Sequence, residues 1–485
     1  MGFQRDSPSR NSPRNNNSPR HSPKASPRKK TTLQYLFDLD SNSKPYIGSP
    51  LSSPSNGSRQ YSSHLDSEYE EILSAISYCN FIFTFTNPLE SPSQQDLKRL
   101  KLIQVMSLIK SSRKPLNEKL LSPLLSMVSA NLFRPLPPPS NSSNNSILAD
   151  LPDDEDILST FSPTWSHLQI VYDILLRLVL NVDPKSLKDY IDNHFILNLL
   201  YLFQSEDPRE RESLKNVFHR IYSRFTFHRS FMRKAMNDVF LYYVFETERH
   251  CGIGELLEIW GSIINGFAVP LKEEHKLFLM RVLLPLHKAK GLQGYHRQLA
   301  YCVSQFVQKE PGLGGVVVRG ILRYWPVTNC QKEVLLIGEL EELVENIDPD
   351  HYRKLALPLC TQITRCFNSC NSQVAERALY VWNNEQFVKM ALAAMKEVFP
   401  VVVEGMEKNL KMHWSKSVKQ LTENVKTMLE EMDPTLYEGC LQEIEIRESK
   451  AQQEQIKRKQ NWDRIEMAAK QNQFLQQPKY ICVSH

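Results

Sequence analysis

Glycine is scarce in this chain of 485 residues, because its 16 residues make up about 3% where an average protein has about 7%. No glycine occurs between Gly57 and Gly252, although that stretch is rich in Leu, Ile, Phe and Tyr. Nucleotide-binding α/β folds and β-sandwiches use glycine in phosphate loops, tight turns and hairpins. The sequence therefore disfavours both of these fold classes.

Motifs that carry catalysis or bind metal are also missing. Cys360, Cys366 and Cys370 are too far apart for the Cys-x-x-Cys pairs of a zinc site, so we expect them in the core. Residues 246–250 lack the two histidines four apart that a zincin helix needs. The glycine-rich run 312–315 lacks the Lys-Ser/Thr of a nucleotide site and predicts a turn between helices. No Gly-x-Ser-x-Gly elbow is present, so we predict no catalytic residue, no metal site and no cofactor.

Signals for membrane insertion are absent as well. No run of 18 apolar residues exists, and the first residues are polar and rich in proline. Asp6 stands where an N-myristoylation signal needs Ser or Thr. The nine cysteines are scattered through apolar patterns, as reduced thiols are. These features predict an intracellular chain without a membrane span, located in the cytoplasm and/or the nucleus.

Positive charge is confined to one end of the sequence. The chain has 59 basic and 54 acidic residues, a net charge of +5. Residues 1–30 alone carry +7, which leaves −2 on the other 455 residues. A nucleic-acid binder needs its positive excess on the folded part, so we expect no nucleic-acid partner.

Residues 1–60 consist mainly of Ser, Pro, Asn and Arg and predict a disordered tail. Several of its serines precede proline and lie close to Arg or Lys, as proline-directed kinases prefer. The candidate phosphosites are Ser7, Ser12, Ser18, Ser22 and Ser26. Phosphorylation of several of these serines would remove about 1.5 to 2 charges each and reverse the sign of the tail. The same composition is also typical of a merely solubilising tail, and the cluster at 28–30 resembles a short nuclear address.

From 61 to 445 the apolar residues have helical spacing almost throughout, which predicts an all-α domain. Acidic residues before proline, at Asp183, Asp207, Asp348 and Asp433, predict helix starts. A Pro-, Ser-, Asn- and Asp-rich segment near 135–163 predicts a mobile loop, and 446–485 reads as a charged C-terminal extension. Two apolar stripes illustrate the spacing, namely Leu168, Val171, Tyr172, Leu175, Leu178 and Val179, and Leu336, Leu340, Leu343 and Ile347.

So many helices do not fit one compact core, because single cores stop growing near about 250 to 300 residues. Prolines flanked by apolar residues recur at Pro285, Pro358 and Pro400, with gaps of 73 and 42 residues. Those gaps suit one or two repeats of about 40 residues. We therefore predict a curved α-solenoid of HEAT-like two-helix repeats.

Residues 215–276 place polar and ionisable side chains on otherwise apolar helices. Neighbouring helices of a solenoid lie about 10 Å apart, so side chains from successive helices can line one groove. Such a groove would offer apolar wells and hydrogen-bond donors to an acidic peptide. Ordinary surface charges and histidines with satisfied hydrogen bonds would give the same composition.

Several longer runs carry a family resemblance. They are Ser205–Glu212, Phe218–Tyr222, Gly261–Ala268 with Pro270–Lys276, and Gln373–Leu379 with Trp382–Glu385. Through them the sequence resembles the B-prime class of regulatory subunits of protein phosphatase 2A. The resemblance implies about eight HEAT-like repeats and a trimeric holoenzyme, in which this subunit sits on the scaffold subunit, touches the catalytic subunit and selects substrates. The metal-binding motifs of the phosphatase itself are absent from this sequence, as expected of a subunit that does not hydrolyse phosphate.

The resemblance also implies a groove for peptides of the form Leu-x-x-Ile-x-Glu. Tyr222 with Ile259 and Ile263 would take the Ile of the motif. The basic set Arg229, Lys272 and His275 would face its acidic end, and His219 with Arg220 would meet a phosphoserine or an acid within it. The implied motif-binding residues are Lys215, His219, Arg220, Tyr222, Arg229, Glu258, Ile259, Ile263, Lys272 and His275.

The resemblance further implies acidic residues outside this groove. Four residues form this second candidate surface, which would hold a basic stretch of a substrate. They are Glu339, Glu341, Glu342 and Glu345. A solvated helix face explains them equally well. At the level of the whole chain, the alternative to a phosphatase subunit is a helical-repeat adaptor that binds peptides without any phosphatase.

Overall fold

The computed structural model describes residues 61–87, 89–111, 118–137 and 162–475. The predicted tail at 1–60 with its five candidate phosphosites, most of the loop near 135–163 and the last ten residues lie outside these ranges. Within the described ranges every regular element is helical, so the all-α prediction is confirmed. No helix of the described residues is long and apolar enough to cross a membrane.

Most helices are joined by short turns. In chain order they are α1 (Tyr61–Cys79), α2 (Pro92–Ser111), α3 (Glu118–Leu132), α4 (Trp165–Asn181), α5 (Asn193–Leu202), α6 (Pro208–Arg224), α7 (Arg229–Tyr242), α8 (Ile253–Asn265), α9 (Glu273–Phe278), α10 (Leu284–Leu286), α11 (His296–Lys309), α12 (Gly314–Arg323), α13 (Cys330–Val344), α14 (Tyr352–Phe367), α15 (Ser372–Tyr380), α16 (Glu385–Leu392), α17 (Met395–Met412), α18 (Lys416–Met432) and α19 (Pro434–Leu475). A π-helical turn at Tyr243–Thr247 extends α7, and another at Leu279–Leu283 joins α9 to α10.

The helices stack in two rows. One row holds α2, α4, α6, α8, α11, α13, α15 and α18, each packed on the next. The other holds α5, α7, the segment Leu279–Leu286, α12, α14, α17 and α19. Successive helices alternate between the rows over most of the chain, and each contacts only close neighbours, which is the arrangement of a helical-repeat solenoid. The predicted two-helix repeat is confirmed.

Burial follows the two apolar stripes predicted from the sequence. The members of the first stripe lie on α4, and those of the second lie on α13 and just after its end. All of them are buried, and they belong to one continuous core. Pro358 of α14 and Pro400 of α17 lie inside helices that pack on each other, so their spacing of 42 residues is the length of one repeat. Within α19 the last buried side chain is Ile444, and every described side chain from 445 to 472 is exposed.

Acidic residues before proline start helical segments at three of the four predicted places. After Asp207, Asp348 and Asp433 the carboxylate accepts a hydrogen bond from a backbone N–H two or three residues further on, at 3.0 or 3.1 Å. This is the bonding of a helix N-cap. The prediction is wrong at Asp183, because the same bond there closes a turn and residues 184–190 form turns with no helix.

Two smaller predictions need correction. Cys360 and Cys366 are buried as expected, but Cys370 is exposed because it lies past the end of α14. The glycine-rich run is only partly a turn. A short 3-10 turn covers Pro311–Leu313, and the last two glycines already belong to α12.

Gly405 of α17 shows why glycine remains where two helices approach closely. A Cβ added there would lie 3.0 Å from Nδ2 of Asn368 and 3.1 Å from the Phe367 ring, and it would overlap Thr364. Gly405→Val is therefore expected to lower the free energy of unfolding by about 1 to 3 kcal/mol, measured by urea denaturation. Gly439→Ala is the control, because nothing lies within 4 Å of that position on α19 and alanine favours the helix. Equal stability of the Gly405 variant and wild type would contradict the close packing.

Candidate peptide-binding groove

Successive elements supply the residues predicted for the groove. α6 carries those numbered 215 to 222, α7 begins at Arg229, and α8 carries 258, 259 and 263. Lys272 is the N-cap of α9, and His275 lies in its first turn. Because α6 and α8 are neighbours in one row, the side chains on their shared border meet.

Lys215 ties these two helices together. Its Nζ lies 2.6 Å from a carboxylate oxygen of Glu212 and 2.6 Å from one of Glu258, while Gln298 of α11 donates to the other oxygen of Glu258 at 3.2 Å. Burial lowers the pKa of Lys215, but the hydrogen bonds to the two carboxylates outweigh it, so the pKa lies above its ordinary value. Lys215 is therefore protonated, and the two carboxylates balance its charge. It links α6 to α8 and does not offer an unpaired cation to a peptide.

Tyr222 and Arg229 form a second cluster. The Arg229 guanidinium lies over the Tyr222 ring, with its carbon 5.5 Å from the ring centroid, and it donates to the carbonyls of Tyr222 at 2.9 Å and Ser223 at 2.7 Å. Arg233 donates to the Tyr222 hydroxyl at 3.1 Å. Sequence reasoning missed Arg233, although its spacing of four from Arg229 places both on one face of α7.

His275 stacks flat on Phe267, with ring centroids 3.6 Å apart and planes 2° apart. Its Nε2 lies 3.5 Å from a carboxylate oxygen of Glu274, and its buried Nδ1 has no hydrogen-bond partner. Burial lowers the pKa of His275, and the charges of Lys272 and Arg233 lower it further against the opposing effect of Glu274. The ring is therefore neutral at pH 7, and its Nδ1 is an unused hydrogen-bonding group.

The predicted apolar wells are shallow. Ile259 is 1% exposed and Ile263 is 6% exposed, so both belong to the core below the groove. Tyr222 packs against that core and is half-buried. His219 and Arg220 of α6 are half-buried as well. The apolar residues of α8 have helical spacing, which already indicated that Ile259 and Ile263 face the core. How completely they are covered depends on the neighbouring helices.

The prediction that Glu339 belongs to an acidic surface is wrong. Glu339 is 3% exposed and accepts hydrogen bonds from His287 at 3.1 Å and His296 at 2.9 Å, so it cannot face a basic substrate. Glu341 is half-buried in an ion pair with Arg377 at 2.5 Å. Of the four predicted residues, Glu342 and Glu345 are exposed on α13 and its end.

Comparison with known proteins gives one consistent group. The B' alpha isoform of the 57 kDa regulatory subunit of serine/threonine protein phosphatase 2A from Arabidopsis thaliana is 46% identical over 403 residues, covering 83% of this chain and 81% of that protein. The B' beta isoform of the same plant is 47% identical, covering 82% and 79%. The B' kappa isoform of Oryza sativa subsp. japonica is 43% identical, covering 82% and 78%.

A family model extends this result. The model for the protein phosphatase 2A regulatory B subunit (B56 family) matches residues 59–469, nearly all of the helical part described above. The matched span includes α1, both rows of helices and most of α19. With this match and relatives that share almost half of its residues, the chain belongs to the B56 family of regulatory subunits of protein phosphatase 2A.

Proposed function

We propose that this chain selects substrates for a phosphatase 2A holoenzyme by binding Leu-x-x-Ile-x-Glu segments in the groove of α6 to α9. The observation that carries the proposal is a cluster of four side chains in a member of a regulatory-subunit family. Arg229 and Arg233 contact Tyr222, and the charges of Arg233 and Lys272 act on His275. The scaffold and catalytic subunits are its proposed partners, and it contributes no catalytic group of its own.

The acidic end of the motif has enough donors in this cluster. A guanidinium has five N–H groups, and Arg229 uses two of them on carbonyls, so three remain for a carboxylate. Lys272 is exposed and lies one turn before His275, whose ring keeps an unused nitrogen. A charge-assisted hydrogen bond to the Glu of the motif contributes about 1.5 to 3 kcal/mol.

The Ile of the motif would pack beside Tyr222, over the small surface that Ile263 leaves open. An aliphatic side chain buried there contributes about 1.5 to 3 kcal/mol. Because Ile259 and Ile263 are almost covered, this step needs a small displacement of the side chains above them. Together these terms allow micromolar affinity, about 8 kcal/mol, after the cost of association.

Peptide affinity is expected to rise as the pH falls from 8 to 6. The pKa of His275 is lowered in the free groove, and a carboxylate bound beside it would raise that pKa, so binding takes up a proton between the two values. One proton changes affinity by at most about 10-fold per pH unit. Calorimetry with an unphosphorylated Leu-x-x-Ile-x-Glu peptide measures the effect, and His275→Gln should flatten the profile. A wild-type affinity that falls with acidification would contradict the role of His275.

Affinity isolation separates this function from a phosphatase-independent adaptor. The full chain, expressed with an affinity tag in plant cells, should recover both the scaffold and the catalytic subunit of phosphatase 2A. Recovery of peptide-bearing partners without either subunit would favour the adaptor instead. We also propose that the chain works in the cytoplasm and/or the nucleus, which imaging of the full chain beside a variant lacking residues 1–60 would test.

A further inference from the structure

A cavity of about 550 Å³ lies away from the groove, where α12 ends and α13 begins. It is walled by the last residue of α12, by the turn 324–329, by the start of α13 and by the segment after α10. Four of its twelve lining residues are cations, namely Lys288, Lys290, Arg323 and Lys332, and none is Asp or Glu. None of the residues predicted for the peptide groove lines it.

The buried position of Lys332 distinguishes this cavity from a patch of surface lysines. It is 5% exposed, and its Nζ donates to the carbonyls of Lys288 at 3.2 Å and Ala289 at 3.0 Å. Within the described residues it has no carboxylate partner in an ion pair, and burial lowers its pKa while the more distant charge of Glu248 opposes that shift. A buried ammonium without a counter-ion is costly, so an anion in the cavity would relieve that cost.

Three further cations surround the same space. Lys288, Lys290 and Arg323 are exposed and form no ion pair within the described part of the chain. Glu333, the residue after Lys332, is already engaged, because it accepts the indole N–H of Trp325 at 3.0 Å. This local positive charge is unlike the chain beyond residue 30, which sums to −2.

The number of cations around the cavity indicates which kind of anion would bind there. A carboxylate carries one charge, whereas a phosphoserine or phosphothreonine carries about 1.5 to 2 and has three acceptor oxygens. Four cations with no acid among them match the phosphate better. An extended nucleic acid would meet the negative remainder of the chain, so the charge distribution favours a single phosphate over a polyanion.

Most of the other lining residues are aromatic or apolar, with Thr328 and Asn329 as polar members, and this wall suits a peptide. Phe245 is 59% exposed and Val327 is 89% exposed, and Trp325 with Pro326 completes this side of the cavity. Aromatic rings and prolines of this kind pack well against a proline or another apolar side chain. The volume leaves room for such a side chain beside the phosphate.

We propose that this cavity is a second peptide site, which binds a phosphoserine or phosphothreonine followed by proline or another apolar residue. Its phosphate would lie among Lys288, Lys332 and Arg323, with the following side chain against Trp325 and Phe245. A substrate phosphorylated at several positions could then be held at one phosphate while another is removed. The site does not depend on the groove, and its occupancy can be measured on the chain alone.

The test uses the full chain and fluorescent nine-residue peptides. Phosphoserine is fixed at the centre, proline or leucine follows it, and the other positions are randomised. At about physiological salt we expect binding at least about 10-fold tighter than for the same peptides with serine, as charge-assisted bonds to phosphate imply. Lys288→Glu combined with Arg323→Glu should remove this difference. The double variant should still fold, because both side chains are exposed and form no ion pair within the described residues.

A matched variant separates the site from general electrostatics. Arg353→Glu combined with Lys354→Glu reverses two exposed charges elsewhere, on α14, and should leave phosphopeptide affinity unchanged. Equal binding of phosphorylated and unphosphorylated peptides would overturn the proposal. So would competition by a single-stranded oligonucleotide but not by phosphopeptide, or a cavity variant that loses only assembly with the scaffold and catalytic subunits.

Discussion

Replacing Glu339 with glutamine is expected to lower the free energy of unfolding by about 3 to 5 kcal/mol at pH 6, as loss of one partner from a buried ion pair does. The Glu339 carboxylate is buried and lies within 3.2 Å of His287 Nε2 and 2.9 Å of His296 Nε2. His287 also places its Nδ1 3.0 Å from the carbonyl of Leu284. Both ring nitrogens of His287 therefore face acceptors, and only the protonated ring can donate to both.

The effect should depend on pH in one direction. Burial alone would lower the pKa of His287, but the charge and hydrogen bonds of Glu339 outweigh it and raise that pKa. A raised pKa stabilises the fold below the unfolded value, and this stabilisation is lost as pH rises through the folded value. Burial would raise the pKa of Glu339, but the two histidines lower it to about 2, so Glu339 stays ionised from pH 6 to 9.

Urea denaturation at pH 6 and pH 9 measures this prediction. The difference between wild type and Glu339→Gln should be largest at pH 6 and shrink toward pH 9. Glu341→Gln is the matched control on the same helix, because its pair with Arg377 is partly exposed and contributes about 0 to 1 kcal/mol. A Glu339 variant no less stable than the Glu341 variant at pH 6 would contradict the buried pair.

Reversing the charge of Arg229 is expected to weaken binding of a Leu-x-x-Ile-x-Glu peptide about 100-fold, in the range found when one partner of a charged pair is lost from an interface. Arg229→Glu puts a carboxylate where the acidic end of the motif is proposed to lie, beside Tyr222. Because Arg229 also donates to two backbone carbonyls, its variant should lose some stability as well.

Two other variants isolate binding from folding. Lys272→Glu changes an exposed residue at the start of α9 and should weaken binding about 10-fold with an unchanged melting temperature, as expected when one contact of about 1.4 kcal/mol is lost. Lys234→Glu, an exposed residue on α7, is the control and should keep wild-type affinity. If Arg229→Glu and Lys272→Glu both bind the peptide as wild type does, the groove has been assigned to the wrong surface.

The fold was largely predictable because helical periodicity is local. The stripes on α4 and α13 place each residue by its spacing alone, and each turned out to be buried. The helix starts after Asp207 and Asp433 were equally predictable, because an N-cap before proline depends only on residues close to it in sequence. Asp183 has the same local signal and starts no helix, so the residues after a cap decide whether it is used.

The groove was less predictable, and Glu339 shows why. Its spacing of three from Leu336 and four from Leu343 places it on the buried face, a signal available in the sequence. Its histidine partners lie 43 and 52 residues away, so only the stacking of repeats could show that its burial is compensated. The covering of Ile259 and the cavity around Lys332 likewise depend on helices remote in sequence.

The most direct test of the account is the dephosphorylation rate of one substrate by a reconstituted holoenzyme. The full chain is combined with scaffold and catalytic subunits and given a phosphoprotein that carries a Leu-x-x-Ile-x-Glu segment, or the same phosphoprotein with that segment changed to alanines. We expect the intact segment to speed dephosphorylation about 10-fold or more, and Arg229→Glu to abolish the preference. Equal rates for both substrates with the wild-type chain in the complex would contradict the proposal that this subunit selects substrates through the groove.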